Sequence, residues 1–248
     1  MSSLSTAPPA YAEKPGTHIA PPTDIKHTQD LSESTTRVPK HDIPAAVTTL
    51  QVDYTWKNLT ARISEPSNPS QPIYIVDYRT FKSPHLLFKD AADNTFGSGT
   101  LHAVSINADY ELHGQKGKLK ALRHFHTEYT HLSRVYSKNG APAAMNWSSD
   151  CDFRNWDFTC KGEDGVPVAR FVSNCWSLKK VGMIEFYGPL GQSKEAREEI
   201  VVTGLTLFSC MVLRTTSLLS FFGGVFARPG PLPNPEAEKV KGEGEDGK

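Results

Sequence analysis

Through the middle of this chain, hydrophobic and polar residues alternate or cluster in short extended runs. Near the C-terminus that order gives way to unbroken apolarity. The runs "TLQVDYTW" (49–56) and "PIYIVDY" (72–78) are rich in β-branched and aromatic residues, and "SEPSNPSQP" between them is turn-forming. "GSGTLHAVSI" (97–106) is punctuated by Gly97 and Gly99. "ELHGQKGKLKAL" (111–122) reads as two short strands around a turn at Gly114 and Gly117. "DFTCKGEDGVPVARFV" (157–172) has the form of a hairpin with Glu163-Asp164-Gly165 at its tip, and "KKVGMIEFYG" (179–188) is one more strand. Strands recurring every 8 to 12 residues or so, with no helix between them, predict an all-β sandwich or barrel.

"QSKEAREEI" (192–200) then supplies a helix start, with Ser193 as its N-cap. The run that follows, 198–226, carries apolar side chains on every face of a helical wheel. Such a helix must be enclosed, by lipid or by protein. Its length suits a membrane span over 200–226, because about 20 residues cross the hydrocarbon core. Arg214 in its middle opposes that reading at about 2.5 to 3.5 kcal/mol, and scattered Ser and Thr dilute the run further. Enclosure by protein removes the conflict, since a closed sheet of many strands needs something to fill its lumen. The prediction is a central helix at about 195–223, with Leu205, Phe208, Val212 and Leu219 nearly fully buried. Arg214 would then reach a barrel mouth or a buried carboxylate.

Composition sets the limits of the domain. Residues 1–47 are rich in Pro, Ser, Thr and Ala, and 228–248 are broken by Pro and Gly and then charged. Neither stretch buries enough surface to offset its ordering entropy, so both are expected to be disordered tails around one domain at 48–227. Lys and Arg number 27 against 27 Asp and Glu, so no global field steers the chain to nucleic acid. The N-terminus lacks the basic and apolar regions of a signal peptide. The expectation is therefore a cytoplasmic protein with four reduced cysteines (Cys151, Cys160, Cys175, Cys210) and two sequons without meaning, at Asn58 and Asn146.

Little chemistry is written in the motifs. No GxSxG elbow, Walker motif or GxGxxG fingerprint occurs. His113, His124, His126 and His131 lack a companion carboxylate or cysteine at metal-binding spacing and read as surface histidines. Asp150, Asp152, Asp157, Glu163 and Asp164 follow no calcium-loop spacing and read as turn residues. The tryptophans at 56, 147, 156 and 176 read as core and rim groups. One cluster stands out: Lys116, Lys118, Lys120 and Arg123. In a strand Lys118 and Lys120 share a face, forming a small cationic spot suited to phosphate.

An all-β chain ending in one hydrophobic helix resembles the tubby C-terminal-like superfamily of tubby, LURP-one-related and phospholipid scramblase proteins. "YIVDYRTFKSPHLLF" (74–88), "GTLHAVSINADYELHGQKGKLKAL" (99–122) and "EEIVVTGL" (198–205) are similar to uncharacterised fungal members of it. The resemblance spans about residues 50 to 225. It implies a closed antiparallel barrel of about twelve strands around a central C-terminal helix. It also implies a non-enzymatic binding or adaptor role, with anionic phospholipid head groups such as phosphoinositides as the ligand and the membrane surface as the location. Lys116, Lys118, Lys120 and Arg123 are the nearest match to a head-group site, although they align with no particular ligand residue of the family. The cysteine cluster and calcium segment of the scramblases are missing from the sequence. No catalytic residue, metal site or cofactor follows from the resemblance, and a membrane-anchored protein or an enzyme of another type are the rival readings.

Overall fold

The computed structural model describes residues 44–55, 57–123, 126–151, 155–174, 180–216 and 229–232. Twelve antiparallel strands run up and down in sequence order: β1 (Thr48–Thr55), β2 (Thr60–Ser64), β3 (Pro72–Tyr78), β4 (Leu86–Asp90), β5 (Thr95–Leu101), β6 (Ala108–Leu112), β7 (Gln115–Ala121), β8 (Glu128–Ser133), β9 (Ala143–Cys151), β10 (Asn155–Lys161), β11 (Pro167–Asn174) and β12 (Lys180–Phe186). Each pairs with its sequence neighbours, and β1 closes on β12 with Leu50 opposite Ile184. Closure leaves no free sheet edge. The expected closed barrel is the architecture found.

Alternation within each strand sends one face inward. Leu50 and Val52 of β1, Tyr74 and Val76 of β3, and Leu86 and Phe88 of β4 are all buried, while the residues between them are less so. Eight strands make a lumen that side chains alone can fill, whereas twelve leave room for a larger occupant. That occupant is α1 (Lys194–Thr216), entered through a single 3-10 turn at Pro189–Gln192. Ser193 caps it, its Oγ accepting from the Ala196 amide at 3.3 Å. From Ile200 to Leu207 every residue is buried. The helix is long and apolar enough to cross a membrane, yet 61% of its most apolar window lies inside the protein.

The wall makes space for it with glycines. A Cβ on Gly97 of β5 would stand 2.7 Å from Val202 Cγ2, and one on Gly99 would collide with Thr206. On the opposite side Gly204 of the helix accepts the Trp147 ring, 3.1 Å from where its own Cβ would be. Gly117, expected in a turn, instead lies within β7, and the Tyr110 ring occupies the place of its missing side chain. The actual β6–β7 turn is His113-Gly114, both with positive φ (48° and 76°), the conformation that a two-residue hairpin needs.

The helix expectation holds in its first two-thirds. Leu205 is buried as expected, whereas Phe208 is only half-buried, packing edge-on against Phe171 at 5.4 Å. Val212 departs from it at 38% exposed, because α1 has by then reached the barrel mouth. Arg214 meets Tyr129 there, its Nη1 donating to the hydroxyl at 2.7 Å, so its partner is a mouth phenol and not a carboxylate. Leu219 and the remainder of the expected helix to 223 lie outside the described residues, as do residues 1–43 of the N-terminal stretch. Within the C-terminal stretch, Gly230 donates to the Ala121 carbonyl at 3.1 Å.

Leu205→Ala should cost about 2 to 5 kcal/mol, by opening a cavity in a lumen that cannot collapse. Val212→Ala should cost less than about 1 kcal/mol, because its side chain already meets solvent. Paired urea denaturation curves check the contrast, and equal losses would mean that the helix is not seated as described.

Candidate functional site

The basic cluster sits on the outer wall. Lys116, Lys118 and Lys120 alternate with Gly117, Leu119 and Ala121, so the lysines face outward together, as the two-residue period requires. Lys116 and Lys118 border a shallow groove of about 540 Å³ with Ser98 and Thr100 of β5. Carboxylates share that groove. Glu111 stands opposite Lys116 in the β6–β7 register, and Asp109 stands opposite Lys118. Asp109 lies 3.8 Å from Lys118 Nζ and 2.8 Å from His102 Nε2. Lys120 donates to the Pro231 carbonyl at 2.8 Å. Arg123 is off the strand, in the β7–β8 loop, and pairs with Glu128 at 3.1 Å. The four cations therefore do not converge, and each has an acid or a carbonyl for company.

A second group lies inside. Two consecutive carboxylates of α1, Glu198 and Glu199, are almost wholly buried. Glu198 reaches the β6–β7 turn, 2.7 Å from His113 Nε2. Glu199 reaches β8, where Ser133 Oγ donates to Oε2 at 2.9 Å and His131 Nε2 lies 3.0 Å from Oε1. His131 is completely buried with the Tyr110 ring edge-on to it, so its reading as a surface residue is corrected; the inward phase of β8 puts it inside. Ser133, His131 and Glu199 are the residue types of a hydrolytic triad, but the serine donates to the carboxylate and not to the imidazole. All three are sealed from solvent, so no substrate reaches them. Burial also pushes the Cys160 thiol well above its ordinary range, with Glu199's charge adding to the effect. Burial raises Cys210 to about 11. Among the described residues, no three histidines, cysteines or carboxylates are arranged to hold a metal.

A third group emerges only from topology. In an up-and-down barrel alternate connections lie at the same end. Six connections therefore share the end at which α1 finishes, and four of them, β1–β2, β3–β4, β5–β6 and β7–β8, follow one another along part of that rim. Segments 57–59, 79–85, 102–107 and 122–127 contain Lys57, Arg79, Lys82 and Arg123 and not one Asp or Glu. Apolar side chains stand out among these cations: Phe81 is 99% exposed, Val104 72% and Leu59 38%. The loops are braced against each other, Tyr78 N donating to Leu59 O at 2.9 Å and Leu101 N to His85 Nδ1 at 3.1 Å. Sequence reasoning passed over Phe81 and Val104 because single exposed apolar residues are ordinary. The signal was there, in the charges of alternate connections, but counting them requires knowing every strand.

Glu199→Ala should destabilise the fold by about 3 to 5 kcal/mol, since it strands a buried imidazole and hydroxyl. In the intact protein a thiol reagent at pH 8 should leave Cys160 and Cys210 unmodified and label both after denaturation; a Cys151→Ser, Cys175→Ser background isolates them. Rapid native labelling of either would contradict the packing around α1.

Compared with protein-family models, with curated proteins and with solved structures, the chain finds no match in any of the three.

Proposed function

We propose that this chain is a non-enzymatic binding module, a barrel of the tubby-like class, that docks on anionic phospholipid surfaces in the cytoplasm. The observation that carries the reading is the run of four neighbouring connections without a carboxylate, with exposed Phe81 and Val104 set among Lys57, Arg79, Lys82 and Arg123. Cations and apolar tips on one end suit a surface that is negatively charged outside and apolar just beneath. Each cation near such a surface contributes about 1 kcal/mol, and withdrawing Phe81 from water contributes about 1.5 to 3 kcal/mol. Together they support a weak, salt-sensitive attachment without any pocket. The β7 wall cluster, Lys116, Lys118 and Lys120, is the less favoured contact for head groups, because Asp109 and Glu111 interleave with it.

Co-sedimentation separates the two surfaces, using vesicles of neutral lipid, of neutral lipid with phosphatidylserine, and of neutral lipid with a phosphoinositide, at low and high salt. Expected are binding to both anionic compositions, weakening as salt rises, and loss in a Phe81→Asp, Val104→Asp variant. A Lys118→Glu, Lys120→Glu variant should bind nearly as the parent does. Loss in the wall variant alone would move the contact to β7. No binding to either anionic vesicle would remove the lipid reading.

A further inference from the structure

The opposite end of the barrel holds a different arrangement, and it owes nothing to the lipid reading. Tyr74 of β3 points inward there, 1% exposed, its ring 5.2 Å from that of Phe96. Its hydroxyl makes no hydrogen bond among the described residues. Arg197, in the first turn of α1, is likewise unengaged: its Nε is buried without a partner, and its guanidinium forms no ion pair among the described residues. Tyr74 and Arg197 face the same recess of about 480 Å³, within the usual range for small-molecule sites. Its walls are the β2–β3 loop, the β4–β5 turn and Lys194. Burial raises the Tyr74 hydroxyl to about 12, so it stays a donor at any physiological pH.

The remaining polar groups of the recess show which sign of ligand it suits. Asp90 is spent on its own turn, Oδ1 accepting from the amides of Ala92 and Asn94 at 2.9 Å and Oδ2 from Asn94 Nδ2 at 3.1 Å. Glu65 accepts from Ser67 at 3.4 Å. Asn68 Nδ2 is given to Gln71 Oε1 at 3.0 Å, which leaves the Gln71 amide nitrogen as another donor. Lys194 lies 3.7 Å from Glu198 Oε1 but is mostly exposed. Glu198 Oε1 is buried without a hydrogen-bond partner and has Lys194 as its counter-charge, so Arg197 and the Tyr74 hydroxyl are the donors left for a ligand. A guanidinium Nε buried without a partner costs stability unless something fills the place, and the Tyr74 hydroxyl beside the same recess is free to donate.

We infer that this recess binds the oxyanion group, phosphate or carboxylate, of a small molecule, held by Arg197 and Tyr74 with Lys194 at its edge. A planar guanidinium offers the paired donors that such a group accepts. Pro72, Ile73, Ala91 and Ala92 line the way out and would cover the apolar body of the ligand. The site lies at the far end from the rim, so a molecule bound here does not occupy the membrane-facing surface.

Amide NMR titration of the whole chain with inorganic phosphate, and separately with acetate, tests the inference against sodium chloride at matched ionic strength. Saturable shifts at Ala91, Ala92 and Lys194 with either oxyanion, absent with chloride, are expected. Arg197→Gln should weaken that binding about tenfold or more, and Tyr74→Phe by roughly two- to tenfold. Vesicle binding should be the same for both variants and the parent, which keeps this result distinct from that of the rim. Shifts that track ionic strength alone, or an Arg197→Gln protein that binds as the parent does, would overturn the assignment. If Arg197→Gln does not fold, Lys194→Gln together with Tyr74→Phe decides, and unchanged binding in both is equally fatal.

Discussion

A closed sheet of twelve strands encloses more space than its own side chains can fill, and the rest of this structure follows from filling it. The lumen needs an occupant that is apolar all round and carries no unpaired backbone group. A helix satisfies both demands, since its amides and carbonyls bond within the segment. This is why the most membrane-like stretch of the chain is also its most deeply enclosed, and why Arg214 falls at the mouth and not in the middle of an apolar layer. The same demand explains the glycines of β5: where wall and helix are closest, Gly97 and Gly99 give up their side chains to Val202 and Thr206.

Closure also sorts the connections into two populations. Because neighbouring strands are antiparallel, every second loop joins the same rim, and two chemically different ends can be built from one continuous sequence. Here four neighbouring connections of one rim carry cations and apolar tips without carboxylates. The other carries Glu65, the self-satisfied turn at Asp90 and the start of α1. A net charge of zero therefore hides an uneven distribution of charge among the connections. The charge balance of the whole chain gave no hint of it.

The period-two runs and the abrupt change at Ser193 made an all-β domain ending in a helix legible in the sequence, and the resemblance supplied the closed barrel around it. Placement of polar groups was much less legible. His131 looked like a surface residue because a histidine carries no sign of which strand face it occupies, and the phase of β8 is set by Tyr129, not by hydrophobic alternation alone. Gly117 looked like a turn because sequence cannot show that the Tyr110 ring needs its space. Lys116, Lys118 and Lys120 were read correctly as sharing a face. Their neutralisation by Asp109 and Glu111 depends on the β6–β7 register, which the position of the His113-Gly114 turn decides.

One question remains about the helix itself: what fixes its rotation and depth. A helix with apolar residues on every face gains almost the same burial at any rotation about its axis, so the hydrophobic effect that draws it in cannot orient it. Orientation has to come from groups that fit in one way only. Glu198 and Glu199 supply this, being consecutive and hence about 100° apart around the axis. One finds His113 on the β6–β7 turn and the other finds His131 and Ser133 on β8. Gly204 against Trp147 and Thr206 against Gly99 add steric keys farther along. Buried carboxylates of this kind add little net stability, since desolvation offsets much of what their partners return. Turning α1 out of register would strand both acids in an apolar lumen and drive side chains into the wall at β5. The apolar surface thus accounts for why the helix is inside, and the few polar and missing side chains account for why it sits in one position there.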